Sequence, residues 1–203
     1  MRITGGTYRS RALRAPPGHA TRPTSDRVRE ALFGILSSAG AIEGARVLDL
    51  YAGTGALALE ALSRGADHAV LVESSRSAVA ALRTNIAALG VENRAHLLAT
   101  HVDAAIARIA SEGPFGLVVA DPPWALVDTG EVSRSLASLA RAGAFADEGW
   151  VVVEHSSRST APEVEGLTHR DARRYGDTTL AFYKTAILPA APPRANAGAP
   201  SEK

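Results

Sequence analysis

The segment LVVADPPWAL, residues 117–126, carries the residues of this chain that are best suited to chemistry on a nitrogen atom. An apolar run ends at Asp121, and Pro122, Pro123 and Trp124 follow it directly. Prolines neither extend a strand nor enter a helix interior, so this pair makes a stiff turn that holds an acid and an aromatic ring in fixed relation. The bland interpretation is an acid at a strand end, a structural turn and a tryptophan in the core.

The chemical interpretation is a site for the exocyclic amine of a nucleobase. Such an amine is a poor nucleophile because its lone pair is delocalised into the ring. The carboxylate of Asp121 and the carbonyl oxygen of Pro122 could each accept an N–H and direct the lone pair toward a methyl donor. Trp124 could stack on the base, a contact worth roughly 1–3 kcal/mol. No step of this chemistry needs a metal, so we expect none.

A second group of residues surrounds the glycines of VLDLYAGTGALALEAL, residues 47–62. Gly53, Gly55 and Ala58 satisfy G-x-G-x-x-A, and Glu73 lies twenty residues beyond Gly53. Glycines let the backbone approach a ligand closely, and an acid that ends the next strand can accept the protons of both ribose hydroxyls. The pattern predicts a nucleotide-like cofactor, and it fits a dinucleotide as well as S-adenosylmethionine.

Two further acids bear on which cofactor binds. Asp49 lies just upstream of the glycines, where a pyrophosphate would bring negative charge, whereas a sulfonium and an amino group tolerate an acid there. Asp103 follows the third predicted strand and has two equally good interpretations. It could accept an N–H from an adenine amino group, or it could be an ordinary helix N-cap.

Alternating strand and helix patterns must position these residues. Continuous apolar runs are typical of parallel strands that are covered on both faces, and their alternation with helical stripes predicts a doubly wound α/β sheet. Two strands without a helix between them follow at 167–177 and 178–188, which predicts a closing antiparallel pair. The strands are predicted at 46–50, 68–73, 95–100, 115–121 and 149–155, and the helices at 26–38, 55–65, 79–89, 103–113 and 131–142.

The composition limits the class of protein. The chain has 203 residues and no cysteine, which excludes disulfides and thiolate chemistry and fits a cytoplasmic enzyme. No apolar stretch approaches the roughly 20 residues that cross a bilayer, so no membrane partner is expected. Residues 1–30 carry seven arginines against two acids, a net charge of +5, while the remaining residues carry −4. A basic arm on an acidic body predicts a partner that bears phosphates.

Several motifs together resemble a known family. RITGGTYRSRAL, RPTSDRVREALF, DLYAGTGALALEALSRGA, VVADPPW and YGDTTLAFY are similar to the bacterial 16S rRNA (guanine(966)-N(2))-methyltransferases, in register over about residues 2–185. DPPW alone is shared with adenine and cytosine amino-methyltransferases, and RPTSDRVREALF is the more specific element. Trp124 stands where phenylalanine is common in the family, and either ring can stack.

The resemblance implies a Rossmann-like S-adenosylmethionine-dependent methyltransferase fold, with a seven-stranded, mostly parallel sheet, an antiparallel C-terminal pair and a hairpin-helix extension. It implies three segments: a basic, RNA-facing extension over 1–40, a methyltransferase domain over 41–188 and a disordered tail over 189–203. S-adenosylmethionine would be the cofactor, and small-subunit rRNA or the assembling subunit the partner of a monomer. The cofactor would be held by Asp49, Tyr51, Ala52, Gly53, Gly55, Glu73 and Asp103, the base by Asp121, Pro122, Pro123 and Trp124, and the RNA by Arg9, Arg11, Arg22 and Arg27.

Three other functions remain compatible with parts of the sequence. An adenine or cytosine amino-methyltransferase shares DPPW but needs its own target-recognition region. A protein-glutamine methyltransferase usually has Asn in place of Asp121. A nicotinamide-dependent oxidoreductase, or a nucleotide-binding module without chemistry, accounts for Gly53, Gly55 and Glu73 but leaves the DPPW segment without a role. Glu154 could border the cavity, or it could be a plain acid at a strand end.

Overall fold

The computed structural model describes residues 1–16 and 25–186. Arg22 and the predicted tail at 189–203 therefore lie outside the described residues. Seven strands and six helices follow one another in the described part of the chain: α1 (Asp26–Ser38), β1 (Arg46–Leu50), α2 (Ala56–Ser63), β2 (His68–Val72), α3 (Arg76–Leu89), β3 (Ala95–Leu98), α4 (Val102–Glu112), β4 (Phe115–Ala120), α5 (Trp124–Asp128), α6 (Glu131–Arg141), β5 (Phe145–Ser156), β6 (Leu167–Tyr175) and β7 (Thr178–Thr185).

The strands form one seven-stranded sheet in the order β3-β2-β1-β4-β5-β7-β6. The strands β1 to β5 run parallel to one another, and β7 pairs antiparallel with both β5 and β6. The strand order reverses between β1 and β4, because the chain winds outward from β1 to β3 and then returns to the other side of β1. Ligands of open α/β sheets bind in the crevice beyond the carboxyl ends of the strands at such a point. The predicted fold class, including the antiparallel C-terminal pair, is confirmed.

Two apolar clusters cover the two faces of this sheet. One contains α1, α2 and α3 with alternate strand residues such as Val47, Leu71 and Val119. The other contains α4, α5 and α6 with the intervening residues, such as Leu48 and Val118. Successive side chains of a strand point to opposite faces, so a strand that is covered on both faces is apolar throughout. This requirement explains the uninterrupted apolar runs in the sequence.

The N-terminal segment packs onto the first of these clusters. A short hairpin forms through the hydrogen bonds from Ile3 N to Arg11 O and from Ser10 N to Ile3 O. The fully buried carboxylate of Glu60 on α2 then accepts hydrogen bonds from Thr4 N at 2.7 Å and from Gly5 N at 2.8 Å. A buried charge is tolerated only when it is paired and hydrogen-bonded. Glu60 therefore ties the hairpin to the body of the protein.

The structure differs from the sequence prediction in two places. The short helix α5 begins at Trp124, directly after the two prolines, where no helix was predicted. Strand β5 begins at Phe145, four residues before the predicted start at Gly149, and a register shift interrupts its pairing with β4 between Phe115 and Leu117. Both differences lie in short stretches, in which tertiary packing decides the backbone conformation and apolar periodicity gives no signal.

Candidate active site

A cavity of about 850 Å³ opens at the carboxyl ends of β1, β2, β4 and β5. Its position at the reversal of strand order is the one that the fold predicts for a ligand, and its volume is within the usual range of small-molecule sites. Acids at the ends of five strands or in the segments that follow them line it together with the ring of Trp124: Asp49, Glu73, Asp103, Asp121 and Glu154. Chemistry that was scattered over 106 residues of sequence therefore meets in one place.

The two glycines of the loop between β1 and α2 have different roles. Gly53 lines the cavity with a φ of 55°, and a Cβ added to it would meet nothing closer than 4.0 Å. Gly55 precedes α2 with a φ of 79° and is absent from the cavity wall; a Cβ there would lie 2.3 Å from Leu82 Cδ1. Both positions therefore favour glycine for its positive φ. Gly53 gives a ligand access to the backbone, whereas Gly55 lets α2 and α3 pack closely.

Asp49 is the most perturbed acid of the cavity. It is 1% exposed, its Oδ2 accepts a hydrogen bond from Ala58 N at 3.0 Å, and its Oδ1 has no hydrogen-bond partner among the described residues. Burial, helped by the negative charges of Asp121 and Glu73 and opposed by the Ala58 N–H, raises the pKa of Asp49 to about 8. A positively charged hydrogen-bond donor beside Asp49 would stabilise its ionised form and lower this pKa.

Glu73 is fixed by the glycine loop itself. Its Oε2 accepts a hydrogen bond from Gly53 N at 2.8 Å, and its Oε1 accepts one from Ser75 N at 2.7 Å. Each carboxylate oxygen has a second acceptor site, so the two backbone bonds orient Glu73 without exhausting it. A carboxylate held in this way can accept two further hydrogen bonds, one from each hydroxyl of a vicinal diol.

The third predicted acid of this region, Asp103, is not a helix N-cap. His101 occupies the N-cap position of α4, and Asp103 is the second residue of the helix. Its Oδ1 accepts a hydrogen bond from Ser135 Oγ at 2.5 Å. The N-cap alternative for Asp103 was therefore wrong. Tyr51 lies next to this pair; it has a φ of 62°, and burial raises its pKa. A non-glycine residue in that conformation is uncommon and concentrates at ligand sites.

The DPPW segment lines the same cavity from the end of β4. Asp121 follows the last residue of β4 and is half-buried, Pro122 is buried, and Pro123 is the N-cap of α5. The ring of Trp124, the first residue of α5, is half-buried at the cavity wall rather than in either apolar cluster. The interpretation of Trp124 as a core residue was therefore wrong, and all four residues of the motif line the same cavity.

Among the polar residues of the cavity that sequence reasoning missed or left open, three come from α6 and β5. Glu131 and Ser135 come from α6, and Glu154 ends up on the cavity side of β5, 7% exposed. Ser135 had a usable signal, because it interrupts an apolar helical stripe formed by Val132, Leu136 and Leu139, all fully buried. Glu131 gave no such signal, since an acid in the first turn of a helix is ordinary.

Three of the predicted RNA-binding arginines lie within the described residues, and none of these three lines the cavity. Arg9, Arg11 and Arg27 are exposed, and Arg11 Nη2 donates a hydrogen bond to Ala88 O at 2.7 Å, near the C-terminal end of α3. Ser75, at the other end of that 14-residue helix, lines the cavity. At a rise of 1.5 Å per residue the helix is about 21 Å long, so the Arg11 side chain contacts the end of α3 that is remote from the cavity. Their contact with RNA stays a prediction.

Within residues 1–16 and 25–186, no group of three or more His, Asp or Glu side chains is arranged to hold a metal ion. In the same ranges no helix has the length and apolar character of a membrane span.

Comparisons with known proteins agree with the motifs and with the fold. A family model described as Conserved hypothetical protein 95 matches residues 1–184. Ribosomal RNA small subunit methyltransferase D of Escherichia coli (strain K12) is 39% identical over 81% of this chain and 79% of its own length. YlbH of Bacillus subtilis (strain 168) is 31% identical over 91% of this chain and 98% of its own length. The solved structure of yhhF from Escherichia coli superimposes with a TM-score of 0.78 at 33% identity, covering 93% of this chain and 99% of that one.

Proposed function

The chain belongs to the Conserved hypothetical protein 95 family and is a relative of Ribosomal RNA small subunit methyltransferase D, and from this premise we propose that it methylates the N2 amine of a guanine in 16S rRNA. The family agrees with the resemblance that the motifs indicated and places the chain among the rRNA methyltransferases. The methyl donor, the base and the roles of individual residues are parts of the proposal.

The cofactor end of the cavity has the donor and acceptor groups that S-adenosylmethionine requires. The buried Oδ1 of Asp49, which has no hydrogen-bond partner among the described residues, matches the ammonium of its methionine part. Glu73, oriented by Gly53 N and Ser75 N, matches the ribose diol, and Asp103 beside Ser135 matches the adenine amino group. When bound, this cofactor supplies an electrophilic methyl group. A dinucleotide would instead bring pyrophosphate charge next to Asp49, which is unfavourable.

Asp121 and Pro122 hold the nucleophile in this proposal. The Asp121 carboxylate and the Pro122 carbonyl oxygen each accept one N–H of the amine, which keeps its lone pair directed at the donor and compensates the positive charge that develops on nitrogen. Because the two prolines restrict the backbone that follows β4, both acceptors are held in fixed positions. Fixing the two reactants in line accounts for much of the acceleration that such a site can provide.

Trp124 binds the plane of the target base. Its ring lies at the cavity wall at the start of α5, and a base that stacks on it would present its edge to Asp121 three residues earlier. A base must leave its own stack to reach such a cavity, and stacking on an aromatic ring compensates for part of that cost. The observation that carries the proposal is the meeting of the DPPW residues with the acids of the cofactor end in one cavity.

The test of this function is methyl transfer to small ribosomal subunits from a strain that lacks the gene. We expect the purified protein to incorporate one methyl group from labelled S-adenosylmethionine, recovered as N2-methylguanosine after digestion of the 16S rRNA. Recovery of N6-methyladenosine or N4-methylcytidine instead would show that the base is wrong. No incorporation into subunits or naked rRNA, with S-adenosylhomocysteine still bound, would show that the substrate is wrong.

A further inference from the structure

Glu154 lies next to the position where the target amine must be held. In the parallel pairing of β4 with β5, Ala120 lies opposite Val153, so Asp121 and Glu154 occupy the next level on adjacent strands. Adjacent strands are separated by about 4.8 Å, which is the scale of the distance between neighbouring groups on the edge of a base. Both residues line the cavity. Glu154 is therefore placed to contact whatever group flanks the amine.

A hydrogen bond and the packing of β5 against β7 hold the carboxylate of Glu154 in place. Thr178 Oγ1 donates a hydrogen bond to Glu154 Oε1 at 3.2 Å, and Glu154 itself is 7% exposed at the end of β5. Glu154 also pairs across the antiparallel ladder with Leu180, whose side chain is buried in the apolar cluster on that face. A nearly buried carboxylate that packing and a hydroxyl fix in place can discriminate between ligands, because a mismatched partner would leave it without compensation.

The three amine-bearing bases differ in the atom beside the amine. In guanine, N1–H lies next to the N2 amine, so the edge offers adjacent donors to two adjacent acceptors. In adenine the neighbour of the N6 amine is the bare N1, and in cytosine the neighbour of the N4 amine is the bare N3, both acceptors. A carboxylate at that place attracts guanine and repels the lone pair of the other two bases.

We propose that Glu154 accepts the N1–H of the target guanine and thereby sets the base specificity of the site. This inference rests on the proposed function, since it concerns the guanine whose amine Asp121 holds. It assigns no proton transfer to Glu154, because guanine keeps N1–H throughout. Glu131, an acid that α6 contributes to the same cavity, lies toward Tyr51 and Asp103 at the cofactor end and is not part of this contact.

The test changes the base beside its N2 amine and, separately, the carboxylate of Glu154 on the protein. Small subunits are assembled from 16S rRNA that carries either guanine or 2-aminopurine at the target position, which mass mapping identifies first. 2-Aminopurine keeps the N2 amine but has a bare N1 and lacks the O6 carbonyl, so the contribution of Glu154 is measured by how the ratio changes between protein variants. For the wild-type protein we expect kcat/KM to fall roughly 10- to 100-fold with 2-aminopurine, the scale of one lost hydrogen bond to a charged group.

The variant Glu154→Gln should change this preference. The amide can donate an N–H to the bare N1 of 2-aminopurine, so we expect the guanine to 2-aminopurine ratio of kcat/KM to drop at least about tenfold. A structural role of Glu154 would lower both rates together and leave the ratio unchanged. Glu131→Gln is the matched control: it neutralises another acid of the same cavity and should keep the wild-type ratio.

Two results would overturn the inference. One is a Glu154→Gln protein whose ratio equals that of the wild type. The other needs no variant and applies even if Glu154→Gln does not fold: equal kcat/KM of the wild-type protein for guanine and 2-aminopurine. Failure of the proposed function is distinguishable from both, because it appears as absent N2-methylguanosine in the guanine-bearing subunits before any ratio is formed.

Discussion

Replacement of Asp49 by asparagine should stabilise the ligand-free protein, by an amount that grows with pH. The folded-state pKa of about 8 lies well above the ordinary value of 3.8. As the pH rises, the unfolded chain loses this proton before the folded protein does, so ionisation of Asp49 favours unfolding between about pH 4 and pH 8. Asparagine removes the titration and keeps an oxygen for the Ala58 N–H.

The size of the effect follows from the pKa difference. Each pKa unit corresponds to about 1.4 kcal/mol, so the advantage of Asp49→Asn should grow by about that amount per pH unit and level off near pH 8, on the order of 5 kcal/mol above its value at pH 4. A change of 1 kcal/mol moves Tm by about 2–4 °C in a protein of this length. Between pH 5 and pH 7 the Tm gap should therefore widen by about 5–10 °C.

The assay is thermal unfolding of ligand-free protein in buffers from pH 5 to pH 8.5. Asp67→Asn, at an exposed position, controls for the general loss of one negative charge. A Tm gap between Asp49→Asn and wild type that stays constant across this range would refute the reasoning. In the same variant we expect weaker calorimetric binding of S-adenosylhomocysteine, because the ammonium loses its anionic partner.

Three further predictions concern the remaining parts of the site. Asp121→Ala should lower methyl transfer by at least roughly a hundredfold while S-adenosylhomocysteine affinity stays within a few-fold; near-normal turnover would remove Asp121 from the chemistry. Glu73→Ala should weaken cofactor binding and recover part of its rate at saturating S-adenosylmethionine, and an unchanged calorimetric affinity would contradict a ribose contact. Arg9→Ala combined with Arg11→Ala should flatten the slope of log RNA affinity against log salt by a little under one unit per lost phosphate contact, relative to the exposed control Arg83→Ala. An unchanged slope would mean that RNA binds elsewhere.

The sequence predicted the elements that a continuous apolar run or a clear helical stripe defines. Strand β1 and helix α1 agree with their predicted bounds, because burial on both faces of a strand, or on one face of a helix, leaves a simple pattern. Helix α5 was missed, because five residues are too few to show a period and the two prolines before it suggested a loop. The start of β5 was missed because Asp147 and Glu148 interrupt the run.

For the site, chain-local motifs were predictable, whereas neighbours from distant segments were not. Glycine spacing and the DPPW run identified residues whose roles follow from adjacent backbone. Ser135 reaches Asp103 across 32 residues of sequence, and only the packing of α4 against α6 brings them within 2.5 Å. The sequence likewise left the role of Glu154 open. The position of its carboxylate depends on the register of β5 against β4 and on the hydrogen bond from the Thr178 hydroxyl of β7.

The acids of the cavity oppose one another in the ligand-free protein. Asp121 and Glu73 both raise the pKa of Asp49, so all three gain from a ligand that brings positive charge or N–H and O–H donors. Such a site is unfavourable for folding but well prepared for binding, because a cationic cofactor and a polarised amine compensate charges that are already fixed in place. The stabilisation by S-adenosylmethionine should therefore exceed that by a neutral analogue without its ammonium. We therefore expect the cofactor to raise Tm more at pH 8 than at pH 6. At pH 6 Asp49 is protonated in the ligand-free protein and must lose this proton to pair with the ammonium, whereas near pH 8 a large share of the molecules is already ionised.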